Sequence, residues 1–195
     1  MRYFRPALSL VVIMTLALGV IYPLLVTGAA KLVFPNQASG SLVHEGNALV
    51  GSKLIGQHFS EPKYFWGRPS ATAPQAYNGA ASGGSNLGPL NPALLDQVDA
   101  NIKALRAVQP QETNSASTPV PVDLVTASAS GLDPHISVAA AKYQVARVAQ
   151  ARRMTPAAVE ALIARFETEP LLGVIGESQV NVLELNRALD GARDE

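Results

Sequence analysis

The densest grouping of residues able to do chemistry is Ser82-Gly83-Gly84-Ser85-Asn86. Paired glycines let successive backbone N–H groups turn toward one point and form an anion-binding nest. The flanking hydroxyls and the amide would add hydrogen bonds to a phosphate or carboxylate. The same residues equally suit a tight loop whose side chains satisfy its own backbone. Upstream, Gly67-Arg68-Pro69-Ser70 carries a guanidinium that can hold a carboxylate through two parallel bonds, within the fold or on a partner. Downstream, Asp133 and His135 flank Pro134 just before a helical pattern, an architectural placement that favours the helix's positive end. Ser82, His135 and Asp133 make a hydrolase triad on paper. However, an Asp and a His two residues apart around a proline orient each other poorly.

Other chemistries are excluded more firmly. The chain has no cysteine, so thiolate nucleophiles, thiolate metal sites and disulfides are out. His44, His58 and His135 lie far apart and never at zinc-site spacing, so no metal is expected. There is no G-x-x-x-x-G-K-[ST] phosphate loop, no G-x-S-x-G elbow and no H-E-x-x-H helix. The net charge is zero, which gives no electrostatic claim on nucleic acid. That balance is uneven. Arg2, Arg5 and Lys31 face no acid within residues 1–34, leaving 12 basic and 15 acidic residues beyond.

The elements that must position these groups begin with an anchor. No charge occurs between Arg5 and Lys31. A helix needs roughly 20 apolar residues to cross a bilayer core, and this run suffices with tilt. A cleaved secretory signal is the rival reading, but its apolar region spans only about 7–15 residues. Pro23 frees a backbone carbonyl and invites a kink. Ser9, Thr15, Gly19, Thr27 and Gly28 are small enough for close helix contact. Arg2 and Arg5 on the leading flank place the N-terminus in the cytoplasm by the positive-inside rule. The expected organisation is a cytoplasmic stretch 1–6, a transmembrane helix 7–30 and a periplasmic domain 35–195.

In that domain, Ser41–His44 and Ala48–Ser52 flank Glu45-Gly46-Asn47 and predict a hairpin. Tyr64-Phe65-Trp66 predicts a short strand or a buried platform, and 67–92 a long ordered loop. Asn91-Pro92 opens a helix with Leu94, Leu95, Val98, Ile102 and Leu105 as its apolar stripe. Gln109–Pro119 is a polar excursion. Val120–Thr126 predicts a strand. Ser137 caps a helix to about Arg153 with Ala141, Val145 and Val148 inward, and Thr155-Pro156 opens another. Arg147, Arg152, Arg153 and Arg165 read as a solvated face, Arg147 being the one to pair with an acid. Leu171–Ile175 is a short strand or an extended link. Asn181 with Glu184 caps a last helix. The fold class is α+β with a small sheet.

Gly51–Gln57, Tyr64–Ser70, Tyr77-Asn78, Ser82–Gly88, Asp123–Ser128, Ser130–Ile136 and Val180–Asn186, in this order behind the anchor, carry a further signal. Together they resemble the C subunit of the Kdp potassium-transporting ATPase nearly end to end. The stretch Gln111–Thr118 and Val138, where such sequences often have proline, depart from the pattern. The resemblance implies a non-catalytic subunit of a bacterial inner-membrane pump for potassium uptake, needed for assembly and activity. It implies as partners a channel-like, potassium-binding A subunit and an ATP-hydrolysing B subunit. It also implies that ATP binding by the B subunit is promoted, through the likeness of Ser82–Asn86 to an ABC-transporter signature. The topology conflicts with direct contact, because it sets that loop outside while ATP is inside. Ser82, Gly83, Gly84, Ser85 and Asn86 are therefore expected to form a nucleotide-binding or partner-contact loop, and Arg68, Ser70, Asp133 and His135 to serve partner contact or structure. An anchored periplasmic hydrolase and a small-anion binding module are the alternatives.

Overall fold

The computed structural model describes residues 3–110 and 118–191, so Arg2 and most of the predicted excursion at 109–119 lie outside the described residues. The chain divides into two compact units, with the boundary between Val50 and Gly51.

The first unit is dominated by one 30-residue helix, Phe4–Val33, long and apolar enough to cross a bilayer. It comprises α1 (Phe4–Leu16), a π-helical turn (Ala17–Ile21) and α2 (Tyr22–Val33). At about 1.5 Å per residue it measures roughly 45 Å. The π turn explains how Pro23 is accommodated. A proline ring clashes with the carbonyl four residues back, here Gly19, and offers no N–H to it. Widening the preceding turn removes that conflict inside a continuous helix. A short helix α3 (Pro35–Ala38) follows. Strands β1 (Leu42–Glu45) and β2 (Ala48–Ser52) then form the predicted hairpin, turning at Gly46 with φ 56°.

The second unit is α+β, as expected. Helix α4 (Pro92–Val108) starts where Asn91 Oδ1 accepts from the Ala93 N–H at 3.0 Å. Its inward face is Leu94, Val98, Ile102 and Leu105, whereas Leu95 is exposed. The stretch 120–126 is not a strand. It folds as a 3-10 turn at Val122–Leu124, because Pro121 enters it as N-cap and the Thr126 N–H returns to the Val122 carbonyl at 3.0 Å. Prolines at 119 and 121 also remove the donors a ladder would need.

The sheet lies elsewhere, in strands β3 (His135–Ser137), β4 (Glu167–Thr168) and β5 (Gln179–Asn181). It is antiparallel in the order β3-β5-β4, with Ile136 opposite Val180. Those two side chains face the core. Ser137 ends β3 and caps α5 (Val138–Arg152), its Oγ accepting from the Ala140 N–H at 3.0 Å. Thr155 caps α6 (Pro156–Phe166) in the same way at 3.2 Å. Asn181 ends β5 and caps α7 (Val182–Gly191) through the Glu184 N–H at 3.2 Å. The core gathers Phe65, Val148, Val159, Ile163, Leu185 and Leu189 between these three helices and the sheet. Leu171–Ile175 is neither strand nor extended link but a tight turn closed by a Leu171–Ile175 bridge at the tip of the β4–β5 hairpin.

Candidate functional site

Every residue singled out for chemistry lies on or against the long segment between Lys53 and Asn91, which has no helix or strand of its own. Buried backbone without a ladder must find other partners. Here side chains supply them. Asn186 of α7 grips Phe65 from both sides: its Oδ1 accepts from the Phe65 N–H at 2.8 Å and its Nδ2 donates to the Phe65 carbonyl at 3.0 Å. Gln144 of α5 does the same for Trp66, at 2.8 and 3.1 Å. Each amide imitates a neighbouring strand. Arg147 donates to the carbonyls of Pro62 at 2.5 Å and Tyr64 at 2.9 Å, and stacks 4.9 Å from the Trp66 ring. Arg152 reaches the carbonyls of Lys63 and Leu189 and pairs with Asp190 at 2.7 Å. Tyr64–Trp66 is therefore not a strand but a platform, with Phe65 buried and its two neighbours half-buried.

These bonds correct the reading of the arginines. Arg147 and Arg152 are buried, and the partners of Arg147 are carbonyls and Gln144 rather than an acid. Burial lowers the Arg147 pKa to about 10, so it remains charged at neutral pH. The missed clue was local. Gln144 and Asn186 interrupt apolar faces at inward positions, beside Val145 and Val148 and beside Leu185 and Leu189.

Beyond Trp66 the chain is fastened to the loop 127–135. Arg68 Nη1 sits 3.3 Å from Asp133 Oδ2, and its Nη2 donates to the Ala127 carbonyl at 3.4 Å. Ser70 is a hub: its hydroxyl donates to the Gly131 carbonyl at 2.7 Å and accepts from the Tyr77 N–H at 2.9 Å. The Tyr77 hydroxyl donates to the Arg68 carbonyl at 2.5 Å. Burial, and then the charge of Asp133, push the Tyr77 phenol up to about 12. Its ring fills the space where Gly56 lacks a side chain; a Cβ there would meet it at 2.3 Å. Burial also pushes the Asp133 carboxyl upward. The bonds from His135 and the Arg68 charge outweigh that, and the pKa falls below the ordinary carboxylate value. Asp133 Oδ1 accepts from the His135 N–H at 3.0 Å and lies 3.4 Å from His135 Nδ1.

The glycine loop closes the patch. Ser82 Oγ donates to the Ser130 carbonyl at 3.0 Å and the Gly83 N–H donates to the same oxygen at 2.9 Å. Gly84 lies so close to the opposing loop that a Cβ would stand 2.9 Å from the Ala129 carbonyl oxygen. At Gly131, φ 68°, an added Cβ would likewise stand 2.6 Å from the Gly83 carbonyl oxygen. Asn86 leaves the loop in a left-handed conformation, φ 53°.

The structure thus gathers Arg68, Ser70, Ser82–Gly84, Asp133 and His135 into one seam between two loops. Three open clefts adjoin it: two of about 340 and 490 Å³ that Arg68 lines, and one of about 440 Å³ lined by Ser70 and Ser85. The chemistry this seam offers is limited. The Ser82 hydroxyl proton goes to Ser130, not to His135. One of the two glycine N–H groups of the would-be nest is spent on a carbonyl. Among the described residues no three His, Cys, Asp or Glu side chains meet as a metal site.

Known proteins match this chain along nearly its whole length. The family described as "K+-transporting ATPase, c chain" matches residues 4–191. The chain is 62% identical to the potassium-transporting ATPase KdpC subunit of Variovorax paradoxus (strain S110) over 188 residues, covering 96% of this chain and 95% of that one. It is 60% identical to the corresponding subunit of Polaromonas naphthalenivorans (strain CJ2), covering 97% and 94%. With that of Methylococcus capsulatus (strain Bath) it shares 55% over 98% and 99%.

Proposed function

The chain belongs to the family of the K+-transporting ATPase c chain, and from that membership we propose that it is a membrane-anchored, non-catalytic subunit of a potassium uptake pump. The helix Phe4–Val33 holds it in the inner membrane, N-terminus in the cytoplasm, and the α+β unit acts on the outer face. There it contacts a channel-like, potassium-binding A subunit. Its effect on ATP use by the B subunit is indirect, through preference for one conformational state of the pump.

The observation that carries this reading is the occupation of the seam's polar groups. Arg68 Nη1 and Nη2, Ser70, Ser82, Gly83 and Asp133 bond to one another's loops, and Arg68 Nε alone of that guanidinium finds no partner among the described residues. Such a seam makes a rigid docking element and leaves no nucleophile–base pair for a hydrolase. It also disfavours a nucleotide at 82–86, because a phosphate would have to displace the Ser130 carbonyl. ATP titrated calorimetrically against the full-length chain should give no heat of binding.

Copurification from native membranes is the direct test. Tagged chain should bring down an ATP-hydrolysing and a channel-like subunit, and recovery of the chain alone would end the proposal. The topology is tested by Ala81→Cys in this cysteine-free chain. An impermeant maleimide should label it from outside; labelling only after permeabilisation would reverse the orientation.

A further inference from the structure

The β4–β5 hairpin ends in a knuckle that the seam does not use. From Pro170 to Gly176 its backbone closes on itself: Leu171 N–H to the Ile175 carbonyl at 2.9 Å, Gly173 N–H to Pro170 at 2.9 Å, and Ile175 N–H back to Leu171 at 3.0 Å. The closure turns four large aliphatic side chains outward. Leu171 is 68% exposed, Leu172 84%, Val174 80% and Ile175 60%. Leu172 also adopts φ 57°, a conformation that side-chain-bearing residues avoid. A strained residue presenting leucine to water gains nothing within this chain. Clustered exposed aliphatics on an ordered turn mark a contact surface.

The flanks say what kind. Glu167, Glu169 and Glu177 are exposed around the knuckle, and residues 166–178 contain no basic side chain. Three carboxylates disfavour a bilayer surface, whose phosphates attract Lys and Arg. They equally disfavour a second copy of this chain, because a two-fold contact would bring two acidic collars together. They suit a protein recess with an apolar floor and a Lys/Arg rim.

We propose that the knuckle Leu171–Ile175 is the anchor by which this chain docks into such a recess, on the outward surface of another chain of the same pump. This rests on the reading of the protein as a pump subunit. It adds which segment makes the contact and what chemistry receives it.

The test uses the whole complex. A photo-crosslinking residue at position 172 should yield an adduct with a pump partner. Adducts with lipid alone, with a second copy, or with nothing would overturn the proposal. Leu172→Asp with Val174→Asp should lower the partner yield at least about tenfold, as expected from losing two buried aliphatics. Trp66 fluorescence should be unchanged, because neither residue is packed in the fold. Glu167→Gln, Glu169→Gln and Glu177→Gln together should flatten the loss of complex between about 0.1 and 0.5 M salt. Undiminished copurification of the double variant would refute the anchor while leaving subunit membership intact. Failure of the unaltered chain to copurify would overturn both.

Discussion

Adjacent glycines in the seam give a sharp test of whether the 82–86 loop is a scaffold or an anion nest. At Gly84 a methyl group would stand 2.9 Å from the Ala129 carbonyl oxygen and 3.4 Å from two further backbone atoms, none of which can swing aside. At Gly83 a methyl group would meet nothing within 4 Å. Neither glycine has a left-handed φ, so alanine is conformationally acceptable at both. Gly84→Ala must therefore push the two loops apart. Overpacking costs about 1–3 kcal/mol, and the weakened bonds from Ser82 and Gly83 to the Ser130 carbonyl add about 1 kcal/mol each. The expected loss is roughly 3–5 kcal/mol, or about 6–20 °C in Tm at this size. Gly83→Ala should be neutral or stabilising by about 0.5 kcal/mol, since alanine restricts the unfolded chain. Urea unfolding of the full-length chain in detergent, followed through the lone Trp66, measures both. Potassium uptake should fall with Gly84→Ala and hold with Gly83→Ala. Equal costs at the two positions, or a Gly84→Ala within 0.5 kcal/mol of the parent, would refute the steric reasoning. A Gly83→Ala that folds normally but abolishes uptake would restore a ligand-binding role.

Further expectations concern the clamps and the seam's charges. Asn186→Leu keeps the branched outline but strands the Phe65 N–H and carbonyl, and should cost about 2–4 kcal/mol by urea unfolding. Tyr77→Phe removes the bond to the Arg68 carbonyl and should cost about 1 kcal/mol in the same assay. Asp133 titrates below its ordinary 3.8 in the folded protein, so the unfolded chain binds the proton first. Its contribution is present above that value and is lost as pH falls through the lower folded pKa. Asp133→Asn should therefore flatten the stability–pH curve below about pH 4, and parallel curves for the two proteins would contradict the ion pair.

What was legible in the sequence is what local chemistry decides. Asn91, Ser137, Thr155 and Asn181 each cap the helix they precede, because a short polar side chain satisfies an N–H two or three residues on wherever the chain goes next. The apolar run of the anchor and the Gly46-Asn47 turn are equally local. The sheet was not legible because β3 and β5 are three residues each, too short to show alternation, and both run directly into helix caps. The stretch 120–126 misled by its valines, although Pro121 and the preceding Pro119 argued against a ladder. The residues of the seam were identified individually. Their convergence depends on approaches such as Gly84 to Ala129 and Gly131 to Gly83, which no spacing encodes.

The buried arginines carry the same lesson into energetics, and Arg147 allows a final prediction. Its guanidinium is nearly inaccessible and has no carboxylate beside it. A pKa lowered from 12.5 to about 10 corresponds to a burial cost of roughly 3 kcal/mol for the charge. Three bonds from the cation, to Pro62, Tyr64 and Gln144, stabilise it by about 1.5–3 kcal/mol each. The bonds win, even though Nε finds no partner among the described residues. That balance depends on the planar fork, whose Nη1 meets the Pro62 and Tyr64 carbonyls while its Nη2 reaches Gln144. A lysine ammonium is a single point on a flexible stem and is harder to desolvate. Arg147→Lys, conservative by charge, should therefore lose the Gln144 bond and carry a larger burial penalty, costing about 2–4 kcal/mol. It should also free the 61–66 segment, so that Trp66 emission shifts red and proteolysis begins there before global unfolding. A lysine variant within 0.5 kcal/mol of the parent would show that charge alone, not the fork, holds the platform on which the seam is built.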